Sequence, residues 1–118
     1  MYSETVLDHY RRPRNVGEIP GATAAVEATN PVCGDLLKLW VVVRDGRIVE
    51  AKFKAEGCIP AVACASWLTE RMMGESPAEL SGISLAEIEA AMGGLPSASR
   101  HAAALAGSAL HQLLAQIT

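Results

Sequence analysis

Apolar and charged side chains alternate with a period of two near the middle of the chain. In residues 48–57, IVEAKFKAEG, the odd positions from Val49 to Ala55 are apolar and the even positions from Glu50 to Lys54 are charged. Such alternation is typical of a β-strand with one buried and one solvated face. We therefore expect Val49, Ala51, Phe53 and Ala55 on the dry face of a sheet.

Two further segments complete the predicted sheet. The apolar run LLKLWVVV at 36–43 is followed by Asp45-Gly46, a pair that favours the tight turn of a two-residue hairpin. The segment ATAAVEAT at 22–29 is a weaker strand candidate. The pattern predicts a three-stranded antiparallel sheet.

Helical patterns occupy the two ends of the chain. SETVLDHYRR near the N-terminus can form a short helix capped by Ser3 and ended by Pro13. After Gly57 the predicted helices are PAVACASWLTERMMG, SLAEIEAAMGG and a last segment from Ser97 to Gln116. Strands followed by helices predict an α+β fold, with the helices packed on one face of the sheet.

Composition sets limits on the class of protein. With 118 residues, 50% of them hydrophobic, we expect one domain over 1–118. A net charge of -3 with scattered basic residues gives no surface suited to nucleic acid. The chain has no apolar run of membrane-spanning length and no apolar signal segment, so we expect a cytoplasmic protein without a membrane partner.

The cysteines stand at predicted element ends. The chain has three cysteines, an odd number that argues for free thiols or metal ligands over a disulfide framework. Cys33 and Asp35 flank Gly34 in the loop before a strand, so that both side chains can project to the same side. Cys58 follows Gly57 at the predicted start of a helix, where the helix dipole favours the thiolate.

His101 lies in the first turn of the last predicted helix, where the helix dipole favours a neutral, ligating imidazole. Taken alone, each candidate has a simpler interpretation, because cysteine and histidine are commonly ordinary packed residues and aspartate often caps a turn. Together, two thiols, a carboxylate and an imidazole could form one tetrahedral site if the element ends converge. Their spacing matches no zinc-finger pattern.

Four segments carry a resemblance to a known family: YSETVLDHYRRPRNVGEI, CGDLLKLWVVV, KFKAEGC and RHAAALAGSAL. Over essentially its whole length the chain resembles the IscU/NifU N-terminal family of iron-sulfur cluster assembly scaffolds. The resemblance implies a [2Fe-2S] cluster or iron, or zinc, held by three cysteines with Asp and His. Cys33, Asp35, Cys58 and His101 occupy matching positions. It also implies a cysteine desulfurase as partner and apo-proteins as recipients.

The chain departs from the family pattern at two places. Ala102 stands where the family has its third cysteine, the usual acceptor of sulfur from the desulfurase. In many family members a Leu-Pro-Pro-Val-Lys motif recruits a dedicated chaperone pair. Here the motif is reduced to LPSAS at 95–99, so the resemblance does not predict this chaperone pair as a partner. Cys64 is turned about 240° from Cys58 on the same helix, which favours a core thiol.

Three hypotheses follow for the function. The chain is a scaffold or carrier of a [2Fe-2S] cluster, a zinc-binding domain, or a degenerate scaffold that acts as a partner or regulator of a cysteine desulfurase. We expect no enzyme, because no nucleophile stands beside a base in the sequence. The sequence leaves open which metal is bound.

Overall fold

The computed structural model describes residues 2–31 and 34–117. The strands are β1 (Ala24–Asn30), β2 (Asp35–Arg44) and β3 (Arg47–Glu56). The helices are α1 (Glu4–Arg11), α2 (Ile59–Met72), α3 (Pro77–Leu80), α4 (Leu85–Ala91) and α5 (Arg100–Ile117), with a 3₁₀ turn at Ser97–Ser99 leading into α5. The predicted α+β fold is confirmed.

The three strands form one antiparallel sheet in the order β1-β2-β3. Asp45 and Gly46 connect β2 to β3 with positive φ angles of 52° and 75°. Both central residues of a type I′ turn need such angles, and this turn matches the twist of the paired strands. The hairpin predicted from the Asp-Gly pair is therefore present.

One face of the sheet is covered by helices and the other is solvated. Leu37, Leu39 and Val41 of β2 are fully buried, as are Ala51 and Phe53 of β3. Helices α2 and α5 pack over these side chains, as expected for a sheet with helices on one face.

A β-bulge changes which side chains of β3 face the core. Val42 pairs with Glu50 but Val43 pairs with Ile48, which leaves Val49 as an extra residue. Ile48 is buried and Val49 is 47% exposed, so the expectation that Val49 lies on the dry face is wrong. The backbone N–H of Ile48 donates to Glu75 at 2.9 Å, and its carbonyl accepts from Gly74 at 2.7 Å.

The N-terminal helix is anchored to α2 by buried polar groups. Ser3 caps α1 by accepting from the backbone N–H of Val6, as predicted. His9 Nδ1 lies 2.8 Å from the hydroxyl of the fully buried Ser66, which also accepts from the backbone N–H of Arg14 at 2.9 Å. Burial lowers the pKa of His9, which favours the neutral ring in this contact.

The sequence pattern missed α3. Its cap Ser76 and third residue Glu79 form a reciprocal capping box, a motif that can be recognised in sequence as Ser-x-x-Glu. The helix has only four residues, so it offers no periodic apolar face. Within residues 2–31 and 34–117, no helix combines the length and apolar character needed to cross a membrane.

The bulge predicts that alanine substitutions at two neighbouring positions differ strongly in their effect on stability. Ile48→Ala should lower the free energy of unfolding by about 2 to 5 kcal/mol, because it leaves a cavity in the core. Val49→Ala should change it by no more than about 0.5 kcal/mol, because this side chain is largely exposed. Urea unfolding of the two variants checks this, and a larger loss for Val49→Ala would contradict the register.

Candidate metal centre

Asp35 is the first residue of the central strand. Its exposed fraction is 5%, so the expectation that it lies in a loop is wrong. Its β1 partner is Asn30, and its neighbour Leu36 pairs with Glu56 near the end of β3. The strand ladder therefore fixes the backbone from which the carboxylate projects.

Cys58 connects the sheet to α2. It is the N-cap residue of this helix, with extended backbone angles of φ -72° and ψ 166°, and its side chain forms no capping hydrogen bond. Pro60 in the first turn has no N–H and has a φ suited to a helix start. The half-buried thiol therefore remains available to other groups.

His101 is brought to the same place by α5. It is the second residue of that helix and therefore lies in the first turn, as expected from the sequence, and its side chain is 26% exposed. The preceding residue, Arg100, forms two hydrogen bonds to Glu89 of α4, at 2.7 and 3.2 Å. This ion pair connects the start of α5 to α4 and helps to fix the position of the imidazole.

Three of the four predicted ligands come together. The Cys58 Sγ atom lies 3.4 Å from Asp35 Oδ2 and 3.7 Å from His101 Nε2, and the last two atoms are 3.4 Å apart. Donor atoms on one tetrahedral zinc lie about 3.3 to 3.6 Å apart, because Zn–S bonds are about 2.3 Å and Zn–N and Zn–O bonds about 2.0 to 2.2 Å. The arrangement therefore fits a single metal ion with little movement.

The fourth predicted ligand, Cys33, lies outside the described residues. The chain next to it is described: Gly34 has a positive φ of 74°, and its N–H donates to Asn30 at 2.7 Å. Glycine adopts such angles without the steric penalty that other residues incur. The residue directly before β2 is thus a glycine in the left-handed region.

The metal-free thiol of Cys58 is not activated, which corrects the expectation of a thiolate. Burial raises the pKa of Cys58, and the Asp35 carboxylate raises it further, while backbone N–H groups at the helix start lower it. Desolvation and a neighbouring negative charge therefore outweigh the helix dipole. A metal ion reverses this balance, because it binds the thiolate and releases the proton.

The other residues singled out from the sequence belong to the core. Cys64 is fully buried, and burial raises its pKa to about 12, in agreement with the predicted core thiol. Ala102, which follows His101, is 1% exposed.

A cavity of about 220 Å³ opens beside His101, between the end of β1 and α5.

The chain was compared with known protein families. The model of the NifU-like N-terminal domain matches residues 1–117. The chain belongs to this family. The expectation drawn from the sequence motifs is confirmed.

Members of the NifU-like family are found among curated proteins and solved structures. The chain is 40% identical over 114 residues to an iron-sulfur cluster assembly scaffold protein, IscU 1, of Archaeoglobus fulgidus, covering 97% of this chain and 74% of the relative. It is 38% identical over 118 residues to the scaffold protein IscU of Escherichia coli, covering 97% and 91%.

A solved structure agrees in fold. The N-terminal NifU-like protein from Brucella abortus superposes with a TM-score of 0.80, covering 98% of this chain and 92% of the other, at 16% identity. At this identity the likeness shows the fold alone. It places the sheet and the helices of this chain in the arrangement found in NifU-like proteins.

The electrostatics of the site predict that the Cys58 thiol is alkylated faster in one variant. Asp35→Asn should lower the pKa of Cys58 and raise its alkylation rate at pH 8 by about threefold to tenfold, because one nearby negative charge is lost. Iodoacetamide labelling of metal-free protein, followed by mass spectrometry, measures the rate at each cysteine. Asp45→Asn in the exposed hairpin is the control, and an unchanged or slower Cys58 in Asp35→Asn would contradict the assignment.

Proposed function

We propose that this protein is an iron-sulfur cluster assembly scaffold or carrier. Cys58, Asp35 and His101, together with Cys33, would ligate a [2Fe-2S] cluster that is cargo for other proteins. The single observation that carries the proposal is the meeting of a thiol, a carboxylate and an imidazole within 4.8 Å at the ends of three elements. Two curated scaffold proteins at about 40% identity support it.

The chemistry of the donor set suits a transient cluster. Thiolates are the usual ligands of iron-sulfur centres, and imidazole replaces some of them in Rieske centres. A carboxylate is a harder ligand that binds such iron less well than thiolate does. A site with one carboxylate in place of a thiolate should therefore release its cluster more readily, as a scaffold or carrier requires.

The partial exposure of the site also suits transfer. Asp35 is buried, whereas Cys58 and His101 are both half-buried, and His101 also lines the cavity between the end of β1 and α5. Cargo can therefore approach from the side of the thiol and the imidazole. On this proposal, a recipient cysteine approaches the cluster from the same side.

A zinc-binding domain is the second candidate. The observation that favours it is the set of three separations between 3.4 and 3.7 Å, which match the donors of one tetrahedral ion. Zinc accepts sulfur, nitrogen and oxygen donors together. Zinc could also occupy the site before cluster assembly.

The remaining parts of the proposal concern the extent of the domain, its location in the cell and its partner proteins. We take residues 1–118 as one scaffold domain that acts in the cytoplasm, with a cysteine desulfurase as sulfur donor and apo-proteins as recipients. The chain would assemble its cargo by ligation and not act as an enzyme. The altered LPSAS segment argues against the chaperone pair as a partner, and a role as regulator of the desulfurase is the remaining alternative.

Anaerobic reconstitution tests the proposal. Ferrous iron, cysteine, a cysteine desulfurase and a thiol reductant such as dithiothreitol, which reduces the transferred sulfur to sulfide, should produce absorption bands between about 320 and 450 nm. Iron and sulfide should be present in equal amounts, as expected for a [2Fe-2S] centre with thiolate ligands. Cys58→Ala and His101→Ala should reduce the yield. Colourless protein that binds only zinc, and binds it less tightly in Cys58→Ala and His101→Ala, would favour the zinc domain. Protein that retains little metal would favour the regulator.

Restoring the missing thiol should improve the site. Ala102→Cys adds a soft ligand beside His101 and should raise the cluster yield above that of the natural sequence. The added sulfur should lower the free energy of unfolding by no more than about 1 to 3 kcal/mol, even though the position is closely packed.

Ala103→Cys is the matched control for this prediction. Ala103 is also 1% exposed, so the packing change is similar, but its side chain is turned about 100° further around the helix. Iron and sulfide analysis after reconstitution compares the two variants. Equal yields for Ala102→Cys, Ala103→Cys and the natural sequence would contradict the prediction.

A further inference from the structure

Gly57 lies against the carboxylate of the proposed site. Leu36 pairs with Glu56, so continuing the ladder by one residue sets Asp35 opposite Gly57. A Cβ atom added at Gly57 would lie 2.6 Å from Asp35 Oδ1 and 2.7 Å from its Cγ. Neither distance is tolerated between unbonded atoms, so the carboxylate occupies space that any side chain at position 57 would take.

The carboxylate could yield only by turning away from the site. The backbone of Asp35 is held in β2 by its pairing with Asn30, so the side chain would have to rotate about its own bonds. Its Oδ2 atom is the one that lies 3.4 Å from both Cys58 Sγ and His101 Nε2. Rotation would therefore move the carboxylate oxygen away from the thiol and the imidazole.

We propose that Gly57 is a positioning residue, which holds the Asp35 carboxylate beside Cys58 and His101 by leaving the space that this carboxylate fills. The inference rests on the proposed function in one respect, namely that Asp35 is a metal ligand. It adds that the residue before Cys58 determines whether Asp35 can act as one.

Co²⁺ is the probe, because it substitutes for zinc and its visible absorption depends on the ligands. Gly57→Ala should weaken Co²⁺ binding by about tenfold or more, the range seen when groups that orient metal ligands are lost. Its Co²⁺ spectrum should resemble that of Asp35→Ala. The double variant Asp35→Ala/Gly57→Ala should bind like Asp35→Ala alone, because there is no carboxylate left to displace.

Gly17→Ala is the matched control. Gly17 has a φ of 143°, close to the 157° of Gly57, but the nearest atom to an added Cβ is Lys52 Cδ at 3.5 Å. Backbone strain should therefore be similar in the two alanine variants, whereas only Gly57→Ala crowds the site. Gly17→Ala should bind Co²⁺ like the natural sequence.

The outcomes separate this inference from the proposed function. If Asp35→Ala weakens Co²⁺ binding but Gly57→Ala does not, only the positioning role is overturned. If Asp35→Ala itself changes nothing, the part of Asp35 in the proposed site fails as well. A double variant much weaker than Asp35→Ala would mean that Gly57 acts on Cys58, and would overturn the inference.

A variant that does not fold is also informative. If Gly57→Ala unfolds the protein, the double variant should fold, because only the contact with the Asp35 Cβ at 3.1 Å remains. Circular dichroism and thermal melting show whether each variant is folded. A double variant that stays unfolded would show that the crowding is not with the carboxylate, and would contradict the proposal.

Discussion

The pairing of β2 with β3 is the constraint on which the rest of the site depends. This ladder sets Asp35, at the start of β2, beside the end of β3, which lies two residues before Cys58. The strands cannot slip by one residue without turning Leu37 and Leu39 out of the core. Core packing therefore fixes the distance between carboxylate and thiol, and the start of α5 then only has to bring His101 alongside.

The electrostatics of this place would allow the proposed site both to hold a metal and to release it. The helix start beside Cys58 lowers the pKa of its thiol, but burial and the Asp35 carboxylate raise it by more. Without metal the thiol therefore keeps its proton. A bound cation neutralises the carboxylate and favours the thiolate, so metal binding and proton release are coupled. On the proposed function, the same carboxylate would be a poorer iron ligand than a thiolate, which would limit how firmly a cluster is held.

Much of this arrangement follows from local sequence. The Asp-Gly turn and the cap at Ser3 have clear local patterns, and the family motifs point to the candidate ligands. Val49 could not be assigned correctly, because the bulge depends on hydrogen bonds between Ile48 and the chain after α2, far away in sequence. The burial of Asp35 and the raised pKa of Cys58 likewise depend on packing between segments, which no local pattern contains.

X-ray absorption at the iron edge of anaerobically reconstituted protein tests the central claim most directly. The account predicts sulfur together with nitrogen or oxygen in the first shell, scattering from a second iron, and imidazole scattering that disappears in His101→Ala. A first shell without sulfur, or a spectrum that His101→Ala and Cys58→Ala leave unchanged, would contradict it.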